Sequence, residues 1–141
     1  MIKKINHIGI AVKDLDKAVE FFEKSYGAKL LDRKIYADLK LESAFMAMGE
    51  AMYELSAALE PTCLLNKYIE TRGEGIHHVS LQVDAFELTI KKFKERGLKV
   101  IEEADTDDFK AAFLHPQGNL GMLTEIIEPK EGSIFMAADK D

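Results

Sequence analysis

An internal repeat constrains the fold of this chain more than any other feature of its sequence. The segment from His7 to Val12 aligns with His78 to Val83 at an offset of 71 residues. Met52 to Leu55 aligns with Leu123 to Ile126 at the same offset. The matching residues that lie between these two segments along the chain have offsets of 70 and 68. Self-similarity at a fixed spacing marks one structural unit that is used twice. The sequence therefore predicts two modules of the same fold, separated by small differences in their loops.

Each module shows the pattern of a strand, a helix and then three strands. Residues 4 to 13 alternate and are rich in Ile and Val, and "DLDKAVEFFEKSYG" follows with apolar residues on one helical stripe, Asp14 as N-cap and Gly27 beyond its end. The second module repeats this with strand "IHHVSLQV" and helix "AFELTIKKFKERG". The remaining extended runs lie near residues 28–36, 40–48 and 51–59, and near 98–103, 109–115 and 120–128. The predicted fold class is α+β, built from two βαβββ modules.

These patterns predict a single domain over residues 1–129. Module 1 covers about 4–61, a linker helix covers 62–73 with Thr62 as its cap, and module 2 covers about 75–129. Residues 130–141 follow as a C-terminal tail, whose end we expect to be frayed.

Composition excludes several classes of function. The formal net charge is -6 and no run is rich in Lys and Arg alone, so nucleic acid is not an expected partner. Because the apolar stretch at the N-terminus is short and is broken by Asn6 and His7, we expect neither a signal peptide nor a membrane span there, and we expect a cytoplasmic protein without a membrane partner. Cys63 is the only cysteine, which excludes an internal disulfide and a cysteine-cluster metal site.

Four residues of metal-ligand type share the repeat register. His7 coincides with His78 and Glu54 coincides with Glu125, both at an offset of 71. Each module thus supplies one histidine from its first strand and one glutamate from its last strand. Imidazole nitrogens and carboxylate oxygens suit a divalent ion such as Zn, Ni, Co, Fe or Mn. The pattern predicts a metal site made of these four side chains.

The adjacent histidines of "GEGIHHVSLQV" are not equivalent. Neighbouring residues in a strand point to opposite faces of the sheet, so only one of them can face the site. The match with His7 selects His78 as the ligand, and we expect His77 to pack or hydrogen-bond on the other face.

At "NHIGIAVKDLDKAVEFF", "TRGEGIHHVSLQV", "AFLHP" and "GMLTEIIEP" the chain resembles the methylmalonyl-CoA epimerase branch of the vicinal oxygen chelate superfamily, which includes glyoxalase I. The resemblance covers about residues 4 to 129. It implies an eight-stranded, half-open mixed sheet around a divalent metal (Co, Ni, Zn or Mn), usually in a homodimer. It implies the same ligands, His7, Glu54, His78 and Glu125, and an acyl-CoA thioester as substrate.

Such a site can epimerise a 2-methylmalonyl thioester through a metal-stabilised enolate. Two bases must then flank C2, one on each face. Glu125 is the expected first base. The resemblance puts the second at the start of the third strand, which is Asp38 here, and Glu42 is an alternative after a shift in register.

The sequence departs from the branch at three places. Asp38 is one methylene shorter than the glutamate expected there, the loop in "EEADTDDFKAAFLHP" is shorter, and "YELSAALEP" is about three residues longer. The last difference would allow Ala57 to align with the ligand, but the repeat register favours Glu54. These departures keep other functions open, namely a glyoxalase I-type lactoylglutathione lyase, a metal-dependent dioxygenase and a non-catalytic binding protein.

Overall fold

A computed structural model of the chain describes residues 1–139. Contacts between Cα atoms divide it into two compact units. The central unit contains residues 8–77. The terminal unit joins residues 1–7 to residues from 78 onward. The first strand of the chain contributes to both, because the division falls between His7 and Ile8.

The described residues form eight strands, three α-helices and two short 3₁₀ segments. The elements of the first half are β1 (Ile2–Ala11), α1 (Leu15–Tyr26), β2 (Lys29–Tyr36), a 3₁₀ turn (Ala37–Leu39), β3 (Leu41–Met48), β4 (Ala51–Ala58) and α2 (Leu64–Arg72). Those of the second half are β5 (Gly75–Val83), α3 (Phe86–Glu95), β6 (Val100–Asp105), β7 (Phe109–Leu114), β8 (Thr124–Pro129) and a second 3₁₀ segment (Ile134–Asp139).

The central unit pairs β2 with β3 and β3 with β4 in antiparallel fashion, and β4 with the end of β1 in parallel. Helix α1 makes the crossover that a parallel pair requires. Its stripe of Leu15, Val19 and Phe22 packs against one face of the sheet, where Ala44 and Leu55 are fully buried. Residues of opposite parity on β3 and β4 therefore point to the other face.

The terminal unit repeats this arrangement. Strands β6, β7 and β8 are antiparallel neighbours, and β8 runs parallel to β5. Helix α3 covers one face through Phe86 and Ile90, against Ala112 and Ile126. Hydrogen-bonded neighbours follow the order β2-β3-β4-β1 in the central unit and β1-β5-β8-β7-β6 in the terminal unit, and both sets mix parallel and antiparallel pairs. The predicted fold class is confirmed, and the two βαβββ modules that carry it are both present.

Two local predictions differ from the structure. Cys63 rather than Thr62 occupies the N-cap position of helix α2, without a capping hydrogen bond from its side chain, and the hydroxyl of Thr62 accepts a hydrogen bond from Lys40 Nζ at 2.8 Å. The last strand begins at Thr124, because the turn before it contains Leu120 with a left-handed φ of 56°. The end of the C-terminal tail, which we expect to be frayed, lies outside the described residues, and near the start of the tail Ser133 and Phe135 are buried. Within residues 1–139, none of the helices has the length and hydropathy needed to span a membrane.

Candidate metal centre

The histidines and glutamates predicted from the repeat occupy equivalent positions in the strand register. Glu54 on β4 pairs with Gly9 on β1, and Glu125 on β8 pairs with Ser80 on β5. Gly9 lies two residues after His7, and Ser80 lies two residues after His78. Since residues two apart in a strand share a face, each module presents its histidine and glutamate on the same face of the sheet. In each module this is the face that the module's helix does not cover.

In the terminal unit, His7, His78 and Glu125 converge at one point. The Nε2 atoms of His7 and His78 lie 3.2 Å apart, and His7 Nε2 lies 3.4 Å from Glu125 Oε1. The side chain of His7 is fully buried, and that of Glu125 is 13% exposed. Three atoms of metal-ligand type thus meet in a nearly dry environment.

The spacing of these atoms fits a divalent ion. Ligand atoms about 2.1 Å from a common metal are about 3.0 Å apart at octahedral right angles and about 3.4 Å apart at tetrahedral angles. The two separations seen here, 3.2 and 3.4 Å, fall within that interval. Two imidazoles with one carboxylate also match the ligand types that zinc, cobalt, nickel and manganese accept. The residues present could therefore hold such an ion.

A hydroxyl orients the carboxylate of Glu125. Ser80 Oγ donates a hydrogen bond of 2.7 Å to Glu125 Oε1, and Ser80 is itself fully buried. Sequence reasoning missed Ser80, because a serine within a strand has no distinctive pattern. Its position two residues after His78 and opposite Glu125 could have identified it.

Glu54 belongs to the central unit, where it is partly buried on β4. Its cross-strand neighbours are Gly9 on one side and Phe45 on the other. Phe45 corresponds to Phe113, which pairs with Glu125 in the terminal unit. The surroundings of the two glutamates thus match at the phenylalanine, but Gly9 has no hydroxyl where that of Ser80 donates a hydrogen bond to Glu125.

His77, the other member of the histidine pair, has a packing role. Its ring contacts Tyr68 of α2 edge to face, with ring centroids 4.7 Å apart. Burial lowers the pKa of His77 from its ordinary value of 6.5, and the negative charge of Glu54 opposes this in part. His77 is therefore kept neutral by its surroundings, as a packing residue would be.

Of the two candidates for a second base, Asp38 lies outside its predicted strand and Glu42 lies within it. Asp38 was predicted at the start of the third strand, but it lies exposed in the turn Ala37–Leu39, and β3 begins only at Leu41. The turn forms because Lys40 adopts a left-handed φ of 59° and its N–H bonds the Ala37 carbonyl.

Glu42 lies on the face of β3 that packs against α1. Both of its oxygens accept hydrogen bonds from Arg33, at 3.1 and 3.2 Å, and Arg33 also contacts Asp16 of α1 at 2.7 Å. These carboxylates hold the pKa of Arg33 above its usual range. Glu42 is thus engaged in an ion pair on the face opposite to Glu54.

Sequence comparison identifies the family. The profile of the glyoxalase, bleomycin resistance protein and dioxygenase superfamily matches residues 6–114, which is most of the chain. The protein therefore belongs to this superfamily, in agreement with the resemblance seen in its motifs.

Three individual proteins show which kinds of superfamily member this chain resembles. The crystal structure of hypothetical protein BH1468 from Bacillus halodurans is 35% identical, with a TM-score of 0.86 over 92% of this chain and 96% of that one. The mitochondrial methylmalonyl-CoA epimerase of Homo sapiens is 28% identical over 87% of this chain and 72% of its own. A probable lactoylglutathione lyase from Synechocystis is 31% identical over 69% of this chain and 72% of its own.

The lowered pKa of His77 predicts a contribution to the pH dependence of stability. Below pH 6.5 the unfolded chain binds a proton at His77 that the folded chain still excludes. The free energy of unfolding should therefore fall as the pH drops through this range, by at most about 1.4 kcal/mol per pH unit for one proton. Urea unfolding in metal-free buffer at pH 7.5, 6.5 and 5.5 should show a smaller decrease for His77→Leu than for the wild type.

Tyr68→Phe is the matched control, because it keeps the ring beside His77 and loses only the hydrogen bond to the Ile76 carbonyl. It should change the absolute stability and leave the pH dependence as in the wild type. Equal slopes for wild type and His77→Leu would contradict the assignment.

Proposed function

We infer that the protein is a metal-dependent epimerase of an acyl-CoA thioester, with methylmalonyl-CoA as the expected substrate. The observation that carries this proposal is the equivalent register of His7 with Glu54 and of His78 with Glu125, together with the convergence of three of these side chains. Similarity to the human epimerase supports the choice of substrate. The homodimer implied by the motifs stays a prediction.

We assign His7, Glu54, His78 and Glu125 as the ligands of a divalent ion. When bound, the ion supplies positive charge that stabilises the negative charge developing on a thioester carbonyl oxygen. The protein holds the ligand atoms in place before binding, since His7 is buried and Glu125 is oriented by Ser80. Such pre-positioning reduces the rearrangement needed when substrate arrives.

Glu125 is the group we assign to proton transfer on one face of C2. Its carboxylate can accept the C2 proton if a substrate carbon lies within hydrogen-bond reach. Ser80 occupies one oxygen as a donor and so fixes the direction of the carboxylate.

For the opposite face of C2 we assign Asp38. Glu42 is the weaker candidate because Arg33 binds both of its oxygens on the helix-covered face. Asp38 is exposed in its turn, so its carboxylate is accessible to a substrate that approaches from solvent.

A lactoylglutathione lyase activity is the second candidate, because the Synechocystis relative is 31% identical over 69% of this chain. The two functions differ in substrate. The epimerase needs a thioester with an acidic C2 hydrogen, whereas the lyase isomerises the hemithioacetal of methylglyoxal and glutathione.

Metal binding should distinguish the two neighbouring histidines. We expect His78→Ala to weaken binding of Co(II) by at least about 100-fold, since it removes a ligand, and His77→Ala to bind as the wild type does. Calorimetric titration of the metal-free proteins, with elemental analysis after dialysis, measures both. Similar losses in the two variants would contradict the assignment of His78 as the ligand.

Proton exchange tests the reaction. The wild-type protein loaded with Co(II) should wash deuterium from D2O into C2 of methylmalonyl-CoA, as followed by NMR. We expect Glu125→Gln to lose this exchange by about 100-fold or more even at saturating metal, because the base is gone. Glu54→Gln is the matched control, since it alters an assigned ligand and leaves the base intact. It should retain exchange once metal is saturating.

Exchange by the wild type that does not exceed the metal-only background would contradict the epimerase assignment and leave metal binding unaffected. Measuring whether the Co(II)-loaded protein isomerises the hemithioacetal of methylglyoxal and glutathione would then decide for or against the lyase activity.

The two-base arrangement predicts a separation between exchange and inversion. Asp38→Asn should lower the rate of epimerisation by about 100-fold or more. It should still exchange the hydrogen of the one epimer that Glu125 serves. Separate NMR assays on the two epimers measure both rates. Glu42→Gln is the control and should keep both activities. If Glu42→Gln lost epimerisation and Asp38→Asn kept it, Glu42 rather than Asp38 would be the second base.

A further inference from the structure

The C-terminal segment reaches the site through a single asparagine. We propose that residues 133–136 are part of the metal centre and that Asn6 is a positioning residue through which this segment orients His7. The proposal rests on the metal binding assigned above and adds a role for the end of the chain. All of the contacts involved lie within the terminal unit.

Asn6 is buried, and each of its polar atoms has a partner. Its Nδ2 donates to the backbone carbonyl of Phe135 and to Gln82 Oε1, both at 2.8 Å. A backbone carbonyl can only accept, so the atom that faces Phe135 must be the amide nitrogen. The Phe135 carbonyl therefore fixes which way the Asn6 amide points.

The orientation of Asn6 determines where His7 carries its hydrogen. Asn6 Oδ1 lies 2.8 Å from His7 Nδ1, and an amide oxygen can only accept. His7 Nδ1 must then be the protonated nitrogen, and in the neutral ring Nε2 is left with its lone pair. Nε2 is the atom that lies 3.2 Å from His78 Nε2 and 3.4 Å from Glu125 Oε1. The network thus selects the tautomer that a metal ion needs at this position.

The C-terminal segment is anchored independently of Asn6. The Phe135 ring is buried, and its centroid lies 5.3 Å from that of His7 and 5.3 Å from that of Phe109 on β7. Ser133 Oγ accepts a hydrogen bond of 3.1 Å from the N–H of Phe135. The carbonyl that orients Asn6 is therefore held in place by packing against the sheet and by a local turn. Phe135 also restricts the His7 ring directly.

A purely structural role for Asn6 would predict a different outcome. Losing a buried and fully bonded amide would lower stability, but it would not change the tautomer of a folded His7. The decisive measurements are hence the ¹⁵N shifts of the His7 ring in the metal-free protein and the Co(II) dissociation constant.

The test uses Asn6→Leu in the chain of residues 1–141. Leucine is close to asparagine in size, but it has no oxygen to accept a hydrogen bond from His7 Nδ1 and no amide to donate to the Phe135 carbonyl. We expect the single Nδ1-protonated tautomer of the wild type to give way to a mixture, and the Co(II) dissociation constant to rise by about 10- to 100-fold.

Asn66→Leu is the matched control. Asn66 Nδ2 also donates to two backbone carbonyls, those of Glu60 and Pro61, but it lies on α2 in the central unit. It should leave both the His7 tautomer and the metal affinity unchanged. A chain ending at Lys130, which removes the Phe135 carbonyl and ring, should reproduce the effect of Asn6→Leu and serves if that variant does not fold.

The proposal would be overturned if the His7 tautomer and the dissociation constant were both unchanged in the Asn6 variant or in the chain ending at Lys130. A change in melting temperature alone would not rescue it. If the wild type itself binds no Co(II), the proposed function fails. The tautomer measurement on metal-free protein would still decide whether the segment orients His7.

Discussion

Each module depends on a parallel pairing between its first and last strands. β1 pairs with β4 in one module and β5 pairs with β8 in the other, in the same relative register. A shift of one residue in either pair would turn the glutamate toward the helix-covered face, where Leu55 and Ile126 are fully buried. Burial of the apolar face therefore fixes where the candidate ligands lie.

The parts of the fold and site that could be predicted from the sequence are those with a local pattern. Period-two alternation identified the strands, and the repeat related His7 to His78 and Glu54 to Glu125 without any knowledge of pairing. The same alternation separated His78 from His77. These predictions succeed because strand geometry is strict, and a residue's parity decides its face.

What could not be predicted depends on contacts between distant residues or on the conformation of single residues. Asn6 and Phe135 are 129 positions apart, and no local pattern relates an asparagine in the first strand to a carbonyl near the end of the chain. Asp38 lies in a turn and not in the third strand because Lys40 adopts a left-handed φ, which a lysine rarely does. The two faces available to Glu42 are equally consistent with alternation, and the ion pair with Arg33 on the side of α1 decided between them.

The pseudo-symmetry of the ligands does not extend to their neighbours. Beside Glu54, the next pair on the same face is Ser43 with Ser56, whose hydroxyls share a hydrogen bond of 2.7 Å. Beside Glu125, the equivalent pair is Ala111 with Ile127, both buried and apolar.

A carboxylate next to apolar side chains meets less water, and its interactions with charge are stronger than in a polar setting. The carboxylate of Glu125 also accepts a hydrogen bond from Ser80, whereas Gly9, at the equivalent position beside Glu54, has no side chain. The apolar pair and the Ser80 hydroxyl, rather than the repeat itself, are the reason to assign proton transfer to Glu125 and only ligation to Glu54. Duplication explains why the two glutamates share a register. The later divergence of the neighbouring pairs, Ser43 with Ser56 and Ala111 with Ile127, explains how the two glutamates could take different roles.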